Sequence, residues 1–345
     1  MTLLILMLSL SMQTAAENPA QDAEKAHHHT SEEFRNYPVV EAPASLGFKF
    51  YWKRFISSFN TPVVPEDHVL PENKAISLFK ELRNENTITW IGQSTLLIKI
   101  NGTTILTDPF FSKYASPFWV GPSRFVDPGI HSENLPPIDI ILISHNHYDH
   151  LDKKFIEAIP NKETIHVMVP LKLKSFFSER GFSNIYELDW HQSKTISDML
   201  FTALPAVHYS GRGMSDKNQT LWCSWAISSP SGQYYFIGDS AYSPSLFKDV
   251  GEEFGNFDLA MIGIGTYGNR KYGVNNHTTP EEAVMIGKET HAKALLGIHW
   301  GTIDLSDENP WEPPKRFHAS ARQGSYLPDD VWTIKIGETR RLPGK

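Results

Sequence analysis

The chain has 345 residues, 40% of them hydrophobic and 12% aromatic, enough to bury one large core or two small ones. Its formal charge of −7 argues against a generic nucleic-acid-binding surface. The single cysteine, Cys223, excludes an intramolecular disulfide framework and any multi-cysteine zinc finger, and its apolar flanks make it a buried, inert thiol.

Residues 3–12 form a short apolar run followed by Thr14, Ala15 and Ala16. The run has the form of a secretory signal with a small-residue cleavage site, lacks the usual basic start, and is too short to span a membrane. A signal peptide over residues 1–16 is therefore expected, with an exported product that is periplasmic or envelope-associated. An uncleaved apolar anchor is the competing reading. Residues 17–85 read as an N-terminal extension packing on or near the core. In it, His27, His28 and His29 form a triplet of a type that can bind metal, but on a polar tail it reads as a solvated feature. The aromatic side chains of residues 34–60, among them Phe48, Trp52 and Phe59, read as packing over the main domain.

The catalytic domain is expected over residues 86–345. Strands are predicted at 87–91, 95–100 and 103–107, the last two joined by the hairpin signal Asn101-Gly102. A loop rich in proline and aromatics then runs over residues 110–137, long enough to suggest a functional role. The apolar run 138–143 reads as a buried strand, and 153–159 as a helix. Further strands are predicted at 165–169, 184–188, 199–204, 222–227, 233–237, 259–264, 294–298 and 331–336. Helices are predicted at 171–180 and at 280–290, the latter with Thr279 as cap. Early hairpins followed by strands alternating with helices argue for an α/β protein of two sheets covered by helices, an αββα sandwich.

The densest chemistry lies just after the strand at 138–143, where Ser144-His145-Asn146-His147-Tyr148-Asp149-His150-Leu151-Asp152 places three histidines and an aspartate within six residues. Imidazole and carboxylate are good ligands for a zinc-like cation. A turn after a strand can aim His145 and His147 at one point, and Asp149 and His150 at a second. Three later residues share this setting at the end of an apolar strand: His208, Asp239 and His299. The seven together suffice for two metals with one shared carboxylate. Asp108 and Asp152 read as residues orienting ligands or shaping turns, and Tyr148 and Trp300 as pocket walls. His131, His166, His191 and His291 have no motif support.

The cluster resembles the His-x-His-x-Asp-His signature of the metallo-β-lactamase superfamily. More narrowly, the chain resembles the N-acyl-phosphatidylethanolamine-hydrolysing phospholipase D family. The matching segments are residues 90–95, 106–110, 144–152, 238–240, 277–284, 298–302 and 312–314. The resemblance implies an αββα sandwich of the metallo-β-lactamase type and a cofactor of two divalent ions, zinc first among them. His145, His147 and His208 would hold one ion, Asp149, His150 and His299 the other, and Asp239 would bridge them. It implies hydrolysis of an N-acylated phosphatidylethanolamine, or a related phospholipid, to an N-acylethanolamine and phosphatidic acid by hydroxide held between the metals. Asp149 could accept the nucleophile's proton, and His277 matches a family histidine near the substrate phosphate.

The expected partner is a phospholipid or membrane surface met peripherally, not nucleic acid; a homodimer is left open. The aromatic loop at residues 110–119 could shape an acyl groove, sit at a bilayer interface, or be ordinary core. The alternatives are a lactonase or phosphodiesterase acting on a small soluble substrate, and a metal-binding envelope protein without turnover.

Overall fold

A computed structural model describes residues 26–39, 61–213 and 215–344. The expected signal peptide and the aromatic segment at residues 48–59 lie outside the described residues. No helix among the described residues is long and apolar enough to cross a membrane.

The first half of the chain contributes helix α1 (Glu72–Glu81) and strands β1 (Thr87–Gly92), β2 (Thr95–Ile100), β3 (Thr103–Thr107) and β4 (Ile140–Leu142). Helix α2 (Lys153–Ala158), β5 (His166–Pro170), α3 (Lys174–Ser178) and β6 (Asn184–Leu188) complete it. The second half supplies β7 (Ser193–Ile196), β8 (Met199–Leu204), β9 (Ser224–Ser229), β10 (Gly232–Phe236), α4 (Pro244–Phe254) and β11 (Leu259–Gly263). It continues with α5 (Pro280–Glu289), β12 (Ala294–Ile298), α6 (Pro313–Gln323), β13 (Val331–Trp332) and β14 (Thr339–Arg341).

One sheet runs β14-β1-β2-β3-β4-β5-β6, the other β13-β12-β11-β10-β9-β8-β7. Each begins its run as antiparallel hairpins and turns parallel, from β3 onward in the first sheet and between β10 and β13 in the second. Parallel strands need crossovers, which place helices on the outer faces. Side-chain alternation decides the layers. In β4, Ile140 and Leu142 face the other sheet, packing in one core with Trp90, Ile98, Phe201, Trp225, Phe236 and Leu296. Ile141 turns outward, into a cluster with Phe155 of α2, Phe177 of α3 and Ala75 of α1. The outer face of the second sheet, with Tyr235, Ala260 and Leu295, is covered by Phe247, Val250, Ile286 and Phe317 from α4, α5 and α6. Three apolar layers between four structural ones make the αββα sandwich expected from the sequence.

Some boundaries differ. The helix expected at 171–180 starts only at Lys174, because Lys172 sits at φ 67°, a left-handed conformation that a helix cannot contain. The strand expected at 331–336 pairs with β12 only through Trp332, and Ile336 bridges Val69 instead. Helices α1, α4 and α6 were not anticipated; α6 buries only Pro313, Phe317 and Ala321, a narrow apolar stripe in a charged segment.

The described part of the N-terminal extension is built into the fold. Phe34 joins the core between the sheets, and His28 is buried rather than solvated, its ring stacked on Trp190 at 4.1 Å. Asn36 brackets the backbone of His208, its Oδ1 accepting from His208 N–H at 3.0 Å and its Nδ2 donating to His208 O at 2.9 Å.

Candidate metal centre

The polar positions that follow strands β4, β8, β10 and β12 meet at one edge of the sandwich, where the C-terminal ends of parallel strands in both sheets open. His145, His147 and His208 gather with Asp239, and Asp149 with His150 and His299; within each group the donor atoms lie within 4.8 Å of one another. The groups touch through Asp239, whose Oδ2 stands 3.1 Å from His150 Nε2, 3.6 Å from His208 Nε2 and 3.8 Å from His145 Nε2. All seven residues are buried or nearly so.

The outer hydrogen bonds fix which nitrogen of each ring faces inward. Asp108 accepts from His150 Nδ1 at 2.7 Å and from Ser144 N–H at 2.7 Å, and Ser144 Oγ donates to it at 2.5 Å. With its proton committed to Asp108, Ser144 Oγ is left to accept from His145 Nδ1 at 2.9 Å. His208 Nδ1 donates to the Asn276 carbonyl at 2.9 Å. His145 and His208 thus carry their protons outward and present bare Nε2 lone pairs to the centre, while His150, held through Nδ1–H by Asp108, turns toward it an Nε2 that a cation can take once its second proton leaves. His147 turns Nδ1 inward, 2.8 Å from His145 Nε2, and its Nε2 is buried without a partner among the described residues. Asp239 Oδ1 is likewise buried without a hydrogen bond, though His299 Nε2 lies 3.2 Å away. Converging lone pairs and an orphaned buried carboxylate oxygen are costly unless a cation occupies the space between them. The residues fit a metal.

Electrostatics follow from this crowding. Burial lowers His145 and His147, the latter to about 4, and His208 to about 3. Burial acts the same way on His299, but Asp239 and Asp149 outweigh it and push the ring up to about 9; His150 is raised for the same reason. Burial would raise Asp239 and Asp149, yet the surrounding imidazoles hold both well below the carboxylate range. Asp108, fully buried, is raised mainly by that burial, opposed by His150 and Ser144.

The backbone around the centre is unusual. Gln93, Asp108, Thr266 and His299 all have positive φ, between 33° and 66°. Four non-glycine residues in the left-handed region at one site are backbone strain that the surrounding packing holds in place. Gly238, at φ 63°, precedes Asp239; a Cβ there would meet Ser144 Cβ at 2.5 Å, so only glycine lets these two loops close.

His277, expected near the substrate, places Nδ1 3.7 Å from Asp239 Oδ2. Asp152 stands outside the cluster. It caps α2 through Lys154 N–H and Phe155 N–H and accepts from Phe111 N–H, Ser112 N–H and Ser112 Oγ, tying the aromatic loop to the histidine segment. Tyr148 donates to the Arg212 carbonyl, and Trp300 packs on Trp90 at 5.3 Å. His131 pairs with Glu72 at 2.9 Å, away from the centre.

Gln93 was missed as a site residue. Its Nε2 donates to Asp149 Oδ2 at 2.8 Å and faces His299 Nε2 at 2.8 Å. The segment at residues 90–95 flagged the neighbourhood, but an amide after a strand has no metal-ligand signature. His68 was missed too; its Nε2 meets the Gly301 carbonyl at 2.7 Å and supports the loop after His299. A cleft of about 170 Å³, lined by Phe125, Thr266, Trp300, Ile303 and Asp304, opens onto His299.

Residues 103–300 match the model of the β-lactamase superfamily domain. The chain is 36% identical over 238 residues to a Caenorhabditis elegans protein named N-acyl-phosphatidylethanolamine-hydrolyzing phospholipase D 1, covering 66% of this chain and 67% of that one. A mitochondrial protein of the same name from Saccharomyces cerevisiae is 35% identical over 257 residues, 73% of this chain and 55% of its own length. Among solved structures, an isothiocyanate hydrolase from Delia radicum gut bacteria superposes with a TM-score of 0.60 at 17% identity, over 75% of this chain and 100% of its own; at that identity it speaks for the fold alone. The site matches the family in kind, with histidine and aspartate clusters able to bind metal at one edge of an αββα sandwich. The chain belongs to the metallo-β-lactamase superfamily of metal-dependent hydrolases, among relatives of the N-acyl-phosphatidylethanolamine-hydrolysing phospholipases D.

Proposed function

We propose that the chain is a phosphodiesterase of phospholipase D type, hydrolysing an N-acyl-phosphatidylethanolamine or a related phospholipid to an N-acylethanolamine and phosphatidic acid. The observation that carries this reading is the convergence of seven donor side chains at one sheet edge, with Asp239 between the two groups, in a chain with such relatives. His145, His147 and His208 would hold one ion, Asp149, His150 and His299 a second, with Asp239 within reach of both groups; zinc suits this mixture of imidazole and carboxylate. Ions so held would polarise a phosphoryl oxygen and supply a water that is nucleophilic at neutral pH.

The protein's own groups do the rest. Gln93 fixes Asp149 Oδ2, leaving the nearly buried carboxylate oriented to accept a proton from the attacking water. Burial lowers His277 to about 3 against the pull of Asp239, so the ring is neutral at pH 7 and contributes a hydrogen bond to the substrate phosphate rather than a charge. Its loop is held by Arg270, which donates to the His277 carbonyl and pairs with Glu282 of α5.

The same reading supplies a membrane surface as the partner and export as the route to it. Phe118 and Trp119, at 69% and 81% exposure, stand with Val120 at the tip of the loop anchored by Asp152, and rings of this kind favour the bilayer interface. Vesicles containing N-acyl-phosphatidylethanolamine should release N-acylethanolamine and phosphatidic acid, with loss on chelation and recovery with zinc. Replacing Phe118 and Trp119 by serine should slow vesicle turnover by about tenfold and leave a monomeric short-chain diester unaffected. Turnover of lactones or small soluble diesters, with none of the phospholipid, would overturn the assignment.

Metal loading should also depend on pH in a set direction. His299, near 9, and the raised His150 carry protons in the metal-free chain at pH 7, whereas His145, His147 and His208 do not. Each proton displaced raises the apparent affinity by about tenfold per pH unit. Zinc affinity, measured against a competing chelator between pH 6.5 and 8.5, should therefore rise steadily with pH. A flat profile would mean that these two rings do not face the ions.

A further inference from the structure

The histidine pair at the start of the described chain meets Asp189, just beyond the end of β6. His28 Nε2 lies 2.6 Å from Asp189 Oδ1 and His29 Nε2 lies 2.7 Å from Oδ2, so two consecutive imidazoles take one oxygen each of a single carboxylate. The three donor atoms fall within 4.8 Å of one another. The carboxylate is oriented by Trp190 N–H, which donates to Oδ1 at 2.8 Å, and the His28 ring is fixed face to face on the Trp190 indole. His27 takes no part, its ring stacked on Tyr37 at 5.3 Å.

We propose that His28, His29 and Asp189 form a further site for a zinc-like divalent cation, separate from the centre around Asp239. Two imidazoles and a carboxylate leave a fourth, water-bearing position for a tetrahedral ion. The half-exposed His29 side chain gives that position access to solvent, while His28 is enclosed. Bonds of about 2.0–2.2 Å at tetrahedral angles set ligand atoms about 3.3 Å apart. Binding therefore widens both contacts, now 2.6 Å to His28 and 2.7 Å to His29, by about 0.6–0.7 Å, a movement divided between the exposed His29 ring and the partly exposed Asp189 carboxylate. The ion takes the place of the Nε2–H groups that now face the carboxylate, and each neutral ring then carries its single proton on Nδ1.

The site has a structural consequence. Between His28 and Asn36 the segment is closed by a turn at Thr30 and Glu33, and Phe34 N–H donates to the Asn218 carbonyl. At its end, the Asn36 amide brackets His208 and also accepts from Trp222 Nε1 at 3.1 Å. An ion at Asp189 fastens the outer end of a strap whose inner end holds the backbone of a residue in the main centre.

The test uses the full chain, purified without a polyhistidine tag, saturated with zinc, freed of excess by dialysis, and analysed for zinc per chain. Wild type and His27→Gln should carry one equivalent more than His29→Gln and Asp189→Asn. The count is a difference between variants, so it does not depend on how many ions the main centre takes or on its substrate. Limited proteolysis gives a second reading: zinc should slow cleavage within residues 26–36 at least threefold in wild type and not in His29→Gln. Equal zinc content in all four proteins, or equal protection by zinc in wild type and His29→Gln, overturns the site.

Discussion

Replacing Asp239 by asparagine should reduce hydrolysis by about 10³-fold or more, some 4 kcal/mol of barrier, and remove metal from a chain that still folds. The side chain keeps its volume, so β10 and the tight turn at Gly238 are undisturbed. What changes is charge and hydrogen. Asp239 Oδ2 faces His150 at 3.1 Å, His208 at 3.6 Å and His145 at 3.8 Å, and Oδ1 faces His299 at 3.2 Å. Whichever way an asparagine amide turns, its NH₂ points at an imidazole lone pair that is meant for a cation. The NH₂ forms a hydrogen bond there and occupies the space between the two donor groups. The neutral oxygen that remains no longer balances the charge of ions within reach of both groups. Zinc per chain, far-UV circular dichroism and turnover of the vesicle substrate measured on one preparation decide the matter. A folded variant with full zinc content and unimpaired turnover would show that Asp239 is not shared between the ions.

Much of this candidate centre was legible in the sequence because the candidate donors lie in segments that follow apolar strands. Residues 140–143 and 294–298 are apolar throughout because parallel strands are covered on both faces, and a polar residue directly after such a run has nowhere to go but the sheet edge. His145, His208, Asp239 and His299 were recognisable on that ground. Gln93 and His68 were not, since they act by orienting a carboxylate and a loop carbonyl, for which any hydrogen-bonding residue type serves. The histidine pair at 28–29 was misjudged for a related reason. Its surroundings are Asp189 and Trp190, about 160 positions away, and no local pattern announces a partner at that distance. Helices α1 and α6 were overlooked because a sheet-covering helix needs only a few apolar contacts, which polar composition hides.

The strained residues mark the same edge. Thr266, a β-branched residue at φ 66°, sets its Oγ1 3.2 Å from His299 Nδ1, and His299 itself lies at φ 59°. Holding both costs about 1–3 kcal/mol each. The fold offsets this through hydrogen bonds such as Thr266 N–H and Gly268 N–H to the Glu308 carboxylate. The centre is thus assembled against local backbone preference, with its geometry enforced by the loops behind it.

Asp108 tests that enforcement most directly, because it touches both His150 and Ser144 from outside the donor set. Asp108→Asn should weaken zinc binding by about 10- to 100-fold, the usual effect of losing a carboxylate behind a metal-binding histidine. The buried carboxylate accepts three hydrogen bonds, from Ser144 N–H, Ser144 Oγ and His150 Nδ1. An asparagine can satisfy the backbone N–H with its oxygen, but its NH₂ then confronts the His150 Nδ1 proton. The ring relieves the clash by moving that proton to Nε2, which faces Asp239, and a protonated Nε2 cannot bind a cation. Ser144 Oγ, released from Asp108, can donate to His145 Nδ1 and drive the same tautomer change there. Both donor groups are therefore weakened by one substitution that removes no ligand. Excess zinc separates the two aspartates: it should restore most of the turnover of Asp108→Asn, whose ligands are all present, and little of that of Asp239→Asn. If Asp108→Asn bound zinc as tightly as wild type, the inward Nε2 lone pairs would not depend on the Asp108 hydrogen bond, and the tautomer assignment for His150 would have to be abandoned.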